Sequence, residues 1–133
     1  MEFGCVSLRV WHPTRSLAFL SDVLGLEPFR TWVAGAAKQT PVGGPLEGIH
    51  DTSYWVSRLE FEPRVGFLRE LTHAVELLSR SDTTLRDLAV SGGRIEIYVQ
   101  STGWINNGAS IGPALLRTMA DLGVTLSIEV FAN

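Results

Sequence analysis

Cysteine is nearly absent. Cys5 stands alone, so no disulfide can form within the chain and the fold must rest on its apolar core. Long apolar runs are missing as well, and no stretch approaches the roughly 18 consecutive apolar residues of a membrane span. The opening residues lack a basic leader followed by an apolar run, so no signal peptide is expected. A cytoplasmic location and no membrane partner follow as expectations. Positive charge is scarce too: 11 Lys and Arg against 14 Asp and Glu give a net charge of −3, with the two signs mixed along the chain. A duplex binder needs a basic stripe, and none is visible. A nucleic-acid partner is therefore disfavoured, single-stranded RNA being the form least excluded.

Motifs that carry chemistry are also lacking. His12, His50 and His73 lie in different segments, and none shares a turn with another metal-type ligand, so no metal site is expected and the histidines read as solvated loop residues. The glycines between Gly35 and Gly48 show neither a phosphate-loop lysine pattern nor a dinucleotide fingerprint, which leaves no cofactor implied. No nucleophile elbow is present. Cys5 has no evident base to lower its pKa and reads as a structural thiol of the first strand. Glu60 with Glu62, and Glu96 with Glu129, are the carboxylate pairs that acid–base catalysis would use. Arg9, Arg58 and Arg94 share their face, so cross-strand ion pairs are the simpler assignment. No catalytic residue is assigned, and the enzyme question leans to no.

What is present suits one globular domain over residues 1–133: 45% apolar and 19% charged residues, enough to bury a substantial core. Val6, Leu8 and Val10 alternate with Ser7, Arg9 and Trp11, the period of a strand with one face buried. Leu17, Leu20, Val23 and Leu24 predict a helix over about 15–24, capped by Thr14 or Ser16 and closed by Gly25. Residues 33–52, rich in glycine and proline, predict a long surface loop. Alternation resumes from Tyr54 to Phe61, with Trp55, Leu59 and Phe61 on one side. Pro63 suits the first position of the longest helix, which continues to about Leu78. Asp82 can cap a shorter helical piece carrying Leu85 and Leu88 that ends at Gly92-Gly93. Ile95, Ile97 and Val99 mark a further strand, and residues 102–110 a polar loop. Pro113 opens the last helix, Leu122-Gly123 closes it, and Leu126, Ile128 and Val130 mark the final strand.

Strands buried on both faces would be apolar throughout, whereas these alternate. The pattern predicts an α+β two-layer sandwich: a mostly antiparallel four-stranded sheet with helices on one face, resembling a ferredoxin-like plait. Two strand–loop–helix pieces, ending Leu24-Gly25-Leu26 and Leu122-Gly123-Val124, hint at an internal duplication.

Certain residues also suggest a family. Leu24-Gly25-Leu26-Glu27-Pro28, then Arg30-Thr31-Trp32 and Gly35, together with Trp55, Leu122-Gly123 and the closing Leu126-Ser127-Ile128-Glu129-Val130, resemble the bacterial domain of unknown function 4279 family along nearly the whole chain. Ser16 and Glu129 stand where members often carry an acidic helix start and an aspartate. The resemblance implies a small bacterial cytoplasmic protein and supplies no activity or catalytic residues.

The informative excess is tryptophan, with four in the chain: Trp11, Trp32, Trp55 and Trp104. Trp55 falls on the core side of its strand. Trp11, Tyr98 and Phe131 fall on the polar sides of theirs, among Ser7, Arg9, Glu96, Gln100 and Ser127. Exposed aromatics beside arginine mark binding surfaces. The candidate binding residues are Arg9, Trp11, Arg30, Trp32, Tyr98 and Phe131, on an open sheet face that would meet a protein partner or a second copy of the chain. The competing arrangement has the long loop or the tail covering these rings as a second small core. The functional expectation is a non-enzymatic interaction module, immunity- or adaptor-like by analogy of size. The alternative is a small-molecule-binding domain or minor enzyme, with Arg30, Trp32, His50 and Asp51 lining a cleft under the 33–52 loop.

Overall fold

A computed structural model describes residues 3–60, 65–102 and 108–131. Chain order is β1 (Phe3–His12), α1 (Leu20–Leu24), β2 (Arg30–Trp32), β3 (Ala37–Gln39), β4 (Pro45–Ile49), β5 (Ser53–Leu59), α2 (Phe67–Ser79), α3 (Asp82–Val90), β6 (Arg94–Thr102), α4 (Pro113–Leu122) and β7 (Val124–Phe131). The expectations for Phe61, Glu62, Pro63, Trp104 and the Cys5 side chain fall outside what is described.

The fold is α+β, as the alternation implied, but the sheet is mixed and five-stranded, in the order β2-β5-β1-β6-β7. It is thus not the four-stranded antiparallel plait expected. β1 runs antiparallel to β5 and β6, and β2 runs antiparallel to β5. β7 lies parallel to β6, because α4 carries the chain back across the sheet between them; a parallel neighbour requires such a crossover. Alternation reports which face is buried and is silent on strand direction, so it could not reveal this. The additional strand, β2, has only three residues, too few for a period to show.

Register sorts the faces. Val6, Leu8 and Val10 stand opposite Leu59, Ser57 and Trp55 on one side and Val99, Ile97 and Ile95 on the other. These apolar residues form one core with Leu20 and Leu24 of α1, Leu71 and Leu78 of α2, Leu85 and Leu88 of α3, and Met119 and Leu122 of α4. Every helix thus buries its apolar stripe against the same sheet face. Trp55 is fully buried there, and its indole N–H donates to Ser21 Oγ at 3.2 Å.

Several boundaries differ from expectation. α1 is only five residues long. Ahead of it Leu20 N–H bonds Leu17 C=O at 3.0 Å, a tighter three-residue step that still puts Leu17 and Leu20 on the buried side. Ser16 Oγ accepts the Ala18 N–H in that turn and does not cap the helix. α2 begins at Phe67 behind Gly66, whose φ of 102° suits glycine alone. Asp82 is the first residue of α3 and Ser81 the one before it. Pro113 opens α4 as expected, and Gly25 and Gly123 close their helices in the left-handed conformation.

The presumed loop over 33–52 contains a separate two-stranded hairpin, β3–β4. All residues of both its strands are exposed, so no buried face imposed a period on the sequence. His12 is buried at the end of β1, not solvated. Its Nδ1 accepts the N–H groups of Thr14 and Arg15 at 3.1 and 2.8 Å, so its Nε2–H donates to Ser91 Oγ at 2.9 Å. The ring thereby ties the strand end to the end of α3.

Candidate functional site: an arginine–aromatic groove on the helix-free face

The residues alternating with the core set point away from the helices. On β1 these are Ser7, Arg9 and Trp11; register places them opposite Arg58, Val56 and Tyr54 of β5 and Tyr98, Glu96 and Arg94 of β6. β2 adds Arg30 beside Val56 and Trp32 beside Tyr54. β7 adds Ser127 beside Tyr98 and Glu129 beside Gln100.

Glu96 is the anchor. Its side chain is fully buried although it stands on the face without helices, because the neighbouring arginines close over it. Arg9 Nε and Nη2 donate to Oε1 at 2.8 and 2.5 Å, and Arg94 Nη2 donates to Oε2 at 2.6 Å. Burial by itself would raise the Glu96 pKa, but hydrogen bonds from Arg94, Arg9 and Ser127 outweigh it and hold the carboxyl below the usual glutamate value. The expected cross-strand ion pair is thus present at Arg9; Arg94 reaches Glu96 from two residues away on the same strand, and Arg58 pairs with no carboxylate among the described residues.

Above this pair the guanidinium groups lie over rings. Arg9 is 4.0 Å from the Tyr98 centroid and 5.1 Å from that of Trp11, and Arg94 is 4.5 Å from Trp11. Arg30 lies 5.0 Å from Trp32, and Arg58 lies 3.9 Å from Phe29. The rings also meet each other: Trp11 and Trp32 flank Tyr54 at 5.2 and 4.7 Å, and His50 stacks on Trp32 at 4.1 Å. Such contacts orient long cationic side chains that would otherwise be mobile.

These groups enclose a groove of about 390 Å³, lined from β2, β5, β1 and β6, whose walls among the described residues include three arginines (Arg9, Arg30, Arg58) and no carboxylate. Its size falls within the range of ligand-binding clefts. A second hollow of about 200 Å³ lies under the β3–β4 hairpin, against Arg30, Trp32 and His50. A third, of about 610 Å³, lies between the start of α2 and Gly108-Ala109, where the polar side chains among the described residues are Arg69 and Thr72. Volume alone would favour the third; the concentration of oriented polar and aromatic groups favours the groove.

Five of the six expected binding residues, Arg9, Trp11, Arg30, Trp32 and Tyr98, line the groove together. Phe131 does not: it sits opposite Thr102 at the end of the edge strand β7, away from the lining. Of the four residues expected under the long loop, Arg30, Trp32 and His50 line the hairpin hollow and Asp51 does not. Among the described residues, His50 of the 33–52 segment stacks on Trp32, and Trp11, Trp32, Tyr54 and Tyr98 all stay partly exposed. Tyr54, Val56 and Phe29 were missed. The parity of β5 could have found the first two, as they alternate with the core residues Trp55 and Ser57.

Glu96, Tyr54, Tyr98 and the groove arginines each keep to one protonation state near neutral pH. Arginine does not give up its proton in proteins and cannot serve as a base. Glu96 is saturated by two guanidinium groups. Burial, then the hydrogen bond to Glu129 at 2.5 Å, raises the Tyr98 pKa, and burial raises that of Tyr54, so neither phenol ionises readily. Among the described residues no group of His, Cys, Asp and Glu could hold a metal ion, and no helix is long and apolar enough to cross a membrane.

Over residues 1–133 the chain matches the family described as "Domain of unknown function (DUF4279)". No curated protein and no solved structure matches it.

Proposed function

We propose that this chain, which belongs to the DUF4279 family of unknown function, is a non-enzymatic recognition module that holds a protein partner on the helix-free face of its sheet, as an immunity or adaptor protein does. One observation carries the reading: aromatic rings and oriented arginines from four adjacent strands form a groove that, among the described residues, is uncovered and holds no reactive group. Rings supply contact area at low entropic cost, and pre-positioned guanidinium groups supply directional donors.

The test is affinity capture with the purified chain, read against Trp11→Ala and Arg58→Glu. A partner, or a second copy of the chain, should be retained by the parent and lost by both variants, while circular dichroism stays unchanged. Arg58 is exposed, so its substitution leaves the core intact. Capture and self-association unaffected by either variant would end the reading.

The second reading, a small-molecule pocket or minor enzyme, draws on the hairpin hollow and its Arg30, Trp32 and His50 walls. At about 200 Å³ that hollow is smaller than most ligand sites, which run from about 300 Å³ upward. A thermal-shift screen against metabolites in which none raises the melting temperature would dispose of it.

A further inference from the structure

The recognition reading leaves open what chemistry the partner brings, and the charges of the groove address that question. We infer that the groove takes an extended acidic segment of a protein, whose carboxylates pair with Arg30 and Arg58. The inference rests on the recognition reading above.

Three observations support it. The chain as a whole carries a net charge of −3, yet among the described residues the groove walls hold three arginines and no acid. Arg9 is already neutralised by Glu96. Arg30 and Arg58 have no carboxylate partner among the described residues, and the hydrogen bond from Arg30 Nη2 goes to the Gln39 carbonyl at 3.0 Å. Two oriented, uncompensated guanidinium groups thus stand on the surface of a chain whose net charge is negative. Charge complementarity of this kind selects an anionic partner.

The second observation separates carboxylates from nucleic-acid bases. A single strand is usually held by stacking its bases on open ring faces. Here guanidinium groups already lie over Phe29, Trp32, Trp11 and Tyr98. A base would have to displace a cation from each ring, whereas a carboxylate can meet the guanidinium N–H groups with the stack left in place.

The third is length. The lining comes from four neighbouring strands, and at a spacing of about 4.8 Å they span about 14 Å. That matches about four residues of extended chain and exceeds a single amino-acid side chain.

The probe is a fluorescein-labelled, end-capped octaglutamate peptide, followed by anisotropy, with octalysine and an eight-nucleotide single-stranded RNA as comparisons and free glutamate as competitor. Octaglutamate should bind and octalysine should not, and binding should weaken as salt is raised. Arg30→Gln and Arg58→Gln should each lower affinity about tenfold, the usual loss for a hydrogen bond to a charged group. Free glutamate at equal carboxylate concentration should not displace the peptide.

Absence of octaglutamate binding would overturn the inference. So would an RNA bound more tightly through the same arginines, or displacement by free glutamate, which would assign the groove to a nucleic acid or to a small acid. If octaglutamate fails while Trp11→Ala and Arg58→Glu still abolish partner capture, the acidic-segment inference falls and the recognition reading stands.

Discussion

The Arg9 guanidinium lies 4.0 Å from the centroid of the Tyr98 ring. The same guanidinium donates twice to the buried Glu96 carboxylate, so one side chain joins the sheet's buried charge to the wall of its groove. Burial of a carboxylate costs free energy unless its lone pairs are satisfied. Here two arginines and Ser127 satisfy them.

Removing that charge should therefore destabilise the fold. Glu96→Gln leaves Arg9 without its counter-ion in a partly buried position, and the expected loss is about 3 kcal/mol. Urea denaturation followed by circular dichroism measures it; a loss near zero would mean that the pair contributes nothing net. The pH dependence has a definite sign. The folded-state pKa of Glu96 is lowered, so the stability it contributes is present above the ordinary glutamate pKa and is lost as pH falls through the folded value. Parent stability should fall more steeply across that acid window than that of Glu96→Gln.

The phenols give a second titration. The chain has two tyrosines, Tyr54 and Tyr98, and both have raised pKa values, burial being the leading cause for each. Phenolate absorbance should rise only above the usual tyrosine range, and Tyr54→Phe and Tyr98→Phe should each remove one step. The stability contributed by keeping these phenols neutral is present below the unfolded tyrosine pKa and is lost as pH rises through the folded values. Ionisation of either tyrosine at its ordinary pKa would contradict the packing described.

His50 should respond to its cationic neighbours. Partial burial against Trp32, then the charges of Lys38 and Arg30, lower its pKa. Proton NMR should place its titration below the ordinary histidine value. Lys38→Gln removes one repelling charge, so the His50 pKa should rise. No movement on that substitution would mean that Lys38 of β3 does not lie close to His50 at the end of β4 as described.

At Gly93 the backbone itself leaves no room. A Cβ there would stand 2.6 Å from the Leu88 carbonyl oxygen and 3.2 Å from that of Trp11. Gly93→Ala should cost on the order of 2 kcal/mol, since the main chain of both neighbours would have to move. Because one neighbour is Trp11, the substitution should also perturb the groove, read as a change in tryptophan fluorescence. A variant as stable as the parent would show that α3 and β1 separate easily.

Much of this arrangement was legible in the sequence where one face of a strand is buried and the other is not. Val6, Leu8 and Val10, then Ile95, Ile97 and Val99, assign the core side. By parity they also place Arg9, Trp11 and Tyr98 together on the opposite side. Parity could not say that Glu96 would be fully buried there, since that follows from two arginines closing over it from β1 and β6. The hairpin β3–β4 buries no face and left no period to read. The β6–β7 direction is set by the path of α4, which local pattern does not encode. Phe131 shares the parity of the site residues but lies too far along β7 to reach them, because parity fixes a side of the sheet and leaves position along the strand free.

Trp32 and Arg30 line both the groove and the hollow beneath the hairpin, so two side chains form a common partition. The Trp32 indole, with the Arg30 guanidinium 5.0 Å from its centroid and His50 stacked on it, stands between the two spaces. The seat of the hairpin on this ring therefore sets how deep the neighbouring trough is. Shortening the β3–β4 turn would shift His50 on that ring and so reshape a surface the turn itself does not line.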